Sequence, residues 1–130
     1  MKRVLRGMLL GAALVAAGSC SNSTGPVGGT LKVKLTTPNS GLDGAVKLVL
    51  TSPTAPASFS AGAGYALWSG APSAVSTIVV TGTLTSGTIL TLQVDDVNKV
   101  GSYSATLQQV AAASGFGLRP LSGYSLSVTK

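Results

Sequence analysis

Side chains that could carry out catalysis are scarce in this chain. Its 130 residues include no histidine and no glutamate, one cysteine (Cys20), and three aspartates at positions 43, 95 and 96. A Ser-His-Asp triad, an imidazole base and histidine ligands for zinc are therefore excluded. A glycosidase needs two carboxyl groups that flank one bond, and Asp95 and Asp96 could cooperate only from a loop, because neighbours on a strand point to opposite faces. The composition predicts a protein that is not an enzyme and uses no cofactor.

The aspartates match turn signals. Asp43 precedes Gly44, and Asp95 with Asp96 follows an apolar run that ends at Val94. Calcium takes about six or more oxygen ligands, so two adjacent carboxylates are only the start of a site. We expect a solvated turn at Asp95 and Asp96, and a Ca²⁺ site there is the alternative.

The aromatic residues are the remaining candidates for ligand contact. Trp68, the one tryptophan, could stack on a sugar ring, with Tyr65 or Tyr103 beside it. Alternation along a strand places Tyr65 with Leu67 on one side and Ala66 with Trp68 on the other. The competing interpretation, which a small fold favours, is that Trp68 fills the core, where it could bury on the order of 200 Å².

The segments that carry these residues are short and are separated by Gly- or Pro-containing turns. Apolar and polar residues alternate within them, and no segment has the length and periodicity of a helix. The expected strands are 31–36, 45–50, a short one around Phe59, 65–69, 75–81, 88–94, 103–110 and 124–128. This pattern predicts an all-β fold, a small antiparallel β-sandwich of about 7–9 strands spanning residues 30–130.

The distribution of charged residues along the chain suggests which strands lie at the sheet edges. The stretch from Val75 to Val94 carries no charge, and Gly82–Gly87 suits a hairpin between its two strands. An uncharged hairpin at an edge would invite pairing with other chains, so we expect it in the centre. Lys32, Lys34 and Lys47 would then protect the early strands, which favours a monomeric domain.

The net charge of +6 overstates the charge of the folded part. Lys2, Arg3 and Arg6 belong to the N-terminal segment, so six basic residues remain against three aspartates, which leaves +3. The remaining basic residues are scattered along the chain rather than clustered. We therefore expect no nucleic-acid partner.

The N-terminal segment has the layout of an export signal. A cationic start precedes the uncharged apolar run Met8–Ala17, and small residues then lead to Cys20. The run has about half the roughly 20 residues of a membrane-spanning helix, so we expect residues 1–19 to be cleaved rather than retained. Residues 20–29, rich in Gly and Ser, are expected to form a flexible tether.

The sequence Ala17-Gly18-Ser19-Cys20 resembles the lipobox of bacterial lipoproteins, although that family usually has Leu where Ala17 stands. The resemblance implies that Cys20 is acylated, becomes the first mature residue and anchors the exported protein in a membrane of the cell envelope. Ser21 stands where an Asp would retain such a protein in the inner membrane, which implies the outer membrane. The alternative is an ordinary secreted protein with one free thiol.

Two further resemblances concern the mature domain. Gly44–Leu50 and Gly87–Val94 are similar to the paired core strands of cohesin-like and carbohydrate-binding β-sandwiches, and Gly101-Ser102-Tyr103 resembles the tyrosine corner of immunoglobulin-like folds. They imply an immunoglobulin-like or cohesin-like sandwich with a binding role. We thus expect a tethered envelope lipoprotein that binds a glycan or an envelope protein. The alternative is a structural or assembly subunit that packs through its low-charge sheet faces.

Overall fold

The computed structural model describes residues 25–130, which form two antiparallel four-stranded sheets. The expected signal peptide (residues 1–19) and Cys20 lie outside the described residues. Eight strands and one 3₁₀ helix follow in chain order: β1 (Gly29–Thr36), β2 (Asp43–Thr51), β3 (Ser58–Ala61), β4 (Ala66–Ser69), β5 (Val75–Leu84), β6 (Gly87–Val94), the 3₁₀ helix (Val97–Ser102), β7 (Ser104–Ala112) and β8 (Ser125–Thr129). The predicted β-sandwich is confirmed.

The two sheets share one core between them. Sheet A has the strand order β3-β6-β1-β8, and sheet B has the order β4-β5-β2-β7. Alternate residues of the long strands point inward and are fully buried, because period-two side chains give each sheet one apolar face. The buried side chains of the core include Leu31, Val33, Leu35, Val46, Leu48, Leu50, Ile78, Val80, Ile89, Leu90 and Leu92.

The expected hairpin between β5 and β6 is wrong. The two strands belong to different sheets, so β5 pairs with β2 and β4, whereas β6 pairs with β1 and β3. Both strands are nevertheless central, as their lack of charge predicted. The chain crosses the sandwich at Thr85 and Ser86 instead of turning back within one sheet, which lets two apolar strands both lie in sheet interiors.

The charged residues do not protect the sheet edges. Lys32 and Lys34 lie on β1 and Lys47 lies on β2, and both strands are central. The edge strands are β3, β8, β4 and β7, and none of them contains a charged residue. The charge-based argument for a monomer therefore does not hold.

The strand pairing resembles an immunoglobulin domain only in part. If β2 to β6 are taken as strands B to F, β2 pairs with β5 and β5 with β4 in one sheet, and β3 pairs with β6 in the other, as in immunoglobulin domains. The first and last strands differ, because β1 pairs with β6 and β7 pairs with β2. The two strands thus stand in the sheets opposite to those that immunoglobulin strands A and G occupy.

The sandwich has two distinct ends. At the end we call proximal, the Val97 amide donates to the Val27 carbonyl at 2.8 Å, so the described N-terminal residues lie against the 3₁₀ helix. Val27, inside the segment expected to be a tether, is thus hydrogen-bonded to the domain. The distal end holds the β1–β2 connection and the long loop 113–124 between β7 and β8.

Candidate functional site

Trp68 lies on the surface rather than in the core. Its neighbour Leu67 packs against the core, so alternation turns Trp68 to the outer face of sheet B, where its side chain is 58% exposed. The expectation that the one tryptophan fills the core is wrong, and the exposed alternative is correct. The core is filled by aliphatic side chains from the longer strands, which leaves the short edge strand β4 to present this ring to solvent.

The register of sheet B places Trp68 in a row with three residues from distant parts of the chain. Trp68 is opposite Val79, Val79 is opposite Lys47, and Lys47 is opposite Gln109. Neighbouring strands lie about 4.8 Å apart, so the row spans roughly 14 Å across the sheet. A π-face, an apolar side chain, an ammonium group and an amide follow one another in this order.

A groove of about 160 Å³ runs beside this row on the same face. Its floor is made by small or branched residues, since Ala45 and Ala111 stand opposite each other on β2 and β7. Its lining consists of Ala45, Val46, Lys47, Val79, Gln109, Ala111 and Leu118. Trp68 adjoins the groove through Val79, and Leu118, which is 68% exposed, forms the opposite wall.

Leu118 reaches this position because the loop after β7 folds back along the sheet edge. Leu118 forms an isolated antiparallel bridge with Ala111, the Ala112 amide donates to the Gly117 carbonyl, and the Arg119 amide donates to the Val110 carbonyl. The loop therefore acts as a short extra strand at the distal end of β7. It also covers part of the unpaired β7 edge.

A buried carboxylate holds that loop in place. Asp43 is fully buried, and its Oδ1 accepts from the Arg119 Nε at 2.7 Å and from the Tyr124 hydroxyl at 2.9 Å. Its Oδ2 accepts from the Thr37 hydroxyl at 2.5 Å, and Asn39 donates to the Tyr124 oxygen at 2.9 Å. The interpretation of Asp43 as a turn residue is wrong, because Asp43 is buried and is the first residue of β2. The interior tolerates its carboxylate because Arg119 supplies the opposite charge.

The tyrosines proposed to accompany Trp68 lie elsewhere. Tyr65 packs partly against the core on the opposite side of the chain, and its hydroxyl lies 3.2 Å from the Thr85 hydroxyl. Tyr103 is only 6% exposed, at the proximal end before β7. It precedes β7 rather than β6, the counterpart of strand F, so the tyrosine-corner resemblance does not carry over.

The buried position of Tyr103 changes the pKa of its hydroxyl group. Burial raises the pKa of its hydroxyl above the ordinary value of 10.0, and the negative charges of Asp95 and Asp96 act in the same direction. The nearby Thr54 side chain opposes this shift without cancelling it. Tyr103 therefore stabilises the proximal end in its neutral form.

Asp95 and Asp96 bind the chain's own backbone and side chains. Asp96 caps the 3₁₀ helix, where its Oδ1 accepts from the Asn98 amide at 3.0 Å and from the Val27 amide at 3.3 Å. Asp95 accepts from the Thr54 hydroxyl at 3.5 Å. Within residues 25–130 no group of three metal-ligating side chains comes together.

Sequence reasoning found Trp68 but missed the residues around it. Val79, Lys47, Gln109 and Leu118 come from three strands and a loop, and their proximity follows from register rather than spacing. One signal was available for Lys47, which interrupts the apolar segment Ala45–Leu50 at an outward position. Alternation therefore marked the outward side of β2, but not what lies next to it.

Comparisons with known proteins add no relative. No protein-family model matches the sequence, no curated protein matches it, and no solved structure matches it. Among the described residues, no helix has the length and apolar character needed to cross a membrane.

Proposed function

We propose that this protein is a non-enzymatic lipoprotein of the bacterial cell envelope that captures a glycan on the outer face of sheet B. The observation that carries the proposal is the exposed Trp68, which shares one row with Lys47 and Gln109 beside an apolar groove. Cys20 is the proposed attachment point to the outer membrane.

The chemistry of the row suits a sugar chain. A pyranose ring has an apolar face that stacks on an aromatic ring, and hydroxyl groups at its edge that need hydrogen-bond partners. Trp68 offers the aromatic face, Val79 continues the apolar surface, and Gln109 offers both an amide donor and an acceptor. Ligand sites generally combine apolar surface with a few well-placed polar groups, and this face has both.

The position of the groove fits a tethered capture domain. The described chain begins at the proximal end, against Val97, whereas Ala45, Ala111 and Leu118 lie in the distal half of sheet B. A membrane anchor at Cys20 would thus be joined to the end of the sandwich away from the groove. The tether would leave the groove open to glycans in the surrounding envelope.

Glycan binding can be measured on the full chain, purified in a nonionic detergent, against a panel of envelope and plant-type polysaccharides by isothermal titration calorimetry. We expect saturable binding, and Trp68→Ala should weaken it about tenfold or more, as loss of a central aromatic contact does. Phe116→Ala is the matched control, because it removes an aromatic side chain that is 73% exposed but does not line the groove. Equal affinities for the two variants would contradict the proposed site.

The anchor has its own test. Cys20→Ser should move the protein from the membrane fraction to the soluble fraction, because acyl chains supply about 0.8 kcal/mol for each buried methylene. Mass spectrometry of the unmodified protein should show acyl chains on Cys20. A Cys20→Ser variant that stays with the membrane would contradict lipidation.

A second candidate function, assembly of copies into an envelope structure, is favoured by the uncharged edge strands. Edge strands without Lys, Arg or Asp leave backbone groups accessible to strand addition by another copy, except where the Leu118 loop covers the distal part of β7. Sedimentation of the full chain in detergent would then show an oligomer that Ser127→Lys, on edge strand β8, dissociates. Thr91→Lys, on central strand β6, is the control and should leave the oligomer intact.

A further inference from the structure

We propose that the glycan held on sheet B is acidic, and that its carboxylate pairs with Lys47. This inference rests on the proposed function, because it names the substrate class of the same groove. Lys47 is the one charged side chain among the described residues that line the groove, and it stands in the centre of the row between Val79 and Gln109.

Among the described residues, no acidic side chain forms an ion pair with the ammonium group of Lys47. The chain has three acidic side chains, and Asp43 is buried and paired with Arg119. Asp95 and Asp96 lie at the proximal end, beside Thr54 and the 3₁₀ helix. The groove thus presents a positive charge on an apolar surface, which attracts an anion and gives no such preference for a neutral sugar.

The spacing of the row matches an acidic sugar stacked on Trp68. Trp68 and Lys47 are two strands apart, which is roughly 10 Å between their backbones. The ring of a uronic acid on Trp68 would cover Val79 and direct its carboxylate toward the end of the Lys47 side chain. Lys47 lines the groove, and the aliphatic stem of a lysine can add apolar surface while its ammonium group stays in water.

None of the other basic residues in the described part of the chain lines the groove. Arg119 is held by Asp43, and Lys32 and Lys34 point outward from sheet A on the other side of the sandwich. Lys34 is exposed on a central strand, as Lys47 is, and it therefore serves as a matched control for the loss of one surface charge.

The test compares polygalacturonate with its methyl ester, which has the same backbone without the negative charge, using the full chain in calorimetry. We expect the ester to bind about fivefold more weakly, because a solvent-exposed ion pair contributes modestly and is screened by salt. Lys47→Gln should bind the acid and the ester equally, whereas Lys34→Gln should keep the preference of the unchanged protein. Dextran sulfate, the third probe, distinguishes a sulfate ester from a carboxylate as the preferred anion.

The outcomes separate the two proposals. Equal binding of acid and ester that requires Trp68 would overturn the acidic ligand and leave glycan capture standing. Binding of polygalacturonate or dextran sulfate that survives Trp68→Ala and falls equally in the Lys47→Gln and Lys34→Gln variants would mark attraction of any polyanion and overturn the inference. Absence of binding across the whole panel would overturn both proposals.

Discussion

Arg119 and Asp43 are 76 positions apart in the chain, yet the Arg119 Nε donates to the Asp43 Oδ1 at 2.7 Å. The same guanidinium donates through Nη2 to the Leu42 carbonyl at 3.2 Å. Together these bonds join the start of β2 to the loop that carries Leu118. The wall of the groove is thus positioned by an ion pair whose carboxylate is fully buried.

Asp43→Asn should lower the free energy of unfolding by about 2–4 kcal/mol, because it breaks the ion pair with Arg119 and puts an amide where three donors converge on the carboxylate. Urea denaturation of the full chain in detergent measures this. Asp95→Asn is the control, since Asp95 is exposed and accepts one long hydrogen bond, and its effect should stay within about 0.5 kcal/mol. Similar losses in the two variants would show that the buried network contributes little.

Phe116→Asn should raise the free energy of unfolding by about 0.5–1 kcal/mol. Phe116 has a φ of 54°, in the left-handed region, which Asn adopts at lower cost because its short polar side chain can hydrogen-bond to the local backbone. Phe116→Ala keeps the strained backbone without the ring, and we expect little change from it. If thermal unfolding shows the same gain for Ala as for Asn, ring exposure rather than backbone strain limits stability.

The fluorescence of Trp68, the one tryptophan of the chain, should report solvent exposure directly. Emission should lie near that of free indole, and acrylamide should quench it efficiently. Polygalacturonate should shift the emission to the blue and reduce quenching, because the bound sugar would cover the indole ring and exclude water from it. A blue-shifted emission that acrylamide does not quench in the free protein would show that Trp68 is buried in the core.

Tyr103 should make the protein less stable in alkali. Its pKa is raised in the folded state by burial, so its contribution is fully present below about pH 10 and is lost as the pH rises through the folded pKa. Urea midpoints measured between about pH 8 and pH 11.5 should fall less steeply for Tyr103→Phe than for the unchanged chain. Equal slopes for Tyr103→Phe and the unchanged chain would contradict this assignment.

Much of the fold could be predicted because strand formation is encoded locally. All eight strands appear within a few residues of the alternating segments that predicted them, since a period of two depends only on near neighbours in the chain. The prediction that β5 pairs with β6 was wrong because local patterns do not determine which strands become neighbours. A short Gly-containing connection suits a hairpin, but it equally suits a crossing between sheets, and burial of both apolar strands decides between them.

Only part of the candidate site could be predicted from the sequence. Alternation grouped Trp68 with Ala66 and Tyr65 with Leu67, and the structure agrees with that grouping. It could not say which group faces the core, because on a short edge strand either side can be covered. Lys47 and Gln109 join Trp68 only through the register of sheet B, which no local pattern specifies.

The sequence by itself determined the strands, the absence of histidine chemistry and the cationic, apolar and cysteine-terminated order of the first 20 residues. These are properties of composition and of neighbouring positions. Only the tertiary structure decided that Asp43 is buried, that the lysine-bearing strands are central and that Trp68 borders a groove. Each of these depends on contacts between residues far apart in the chain, and such contacts form only when the two sheets close over a shared core.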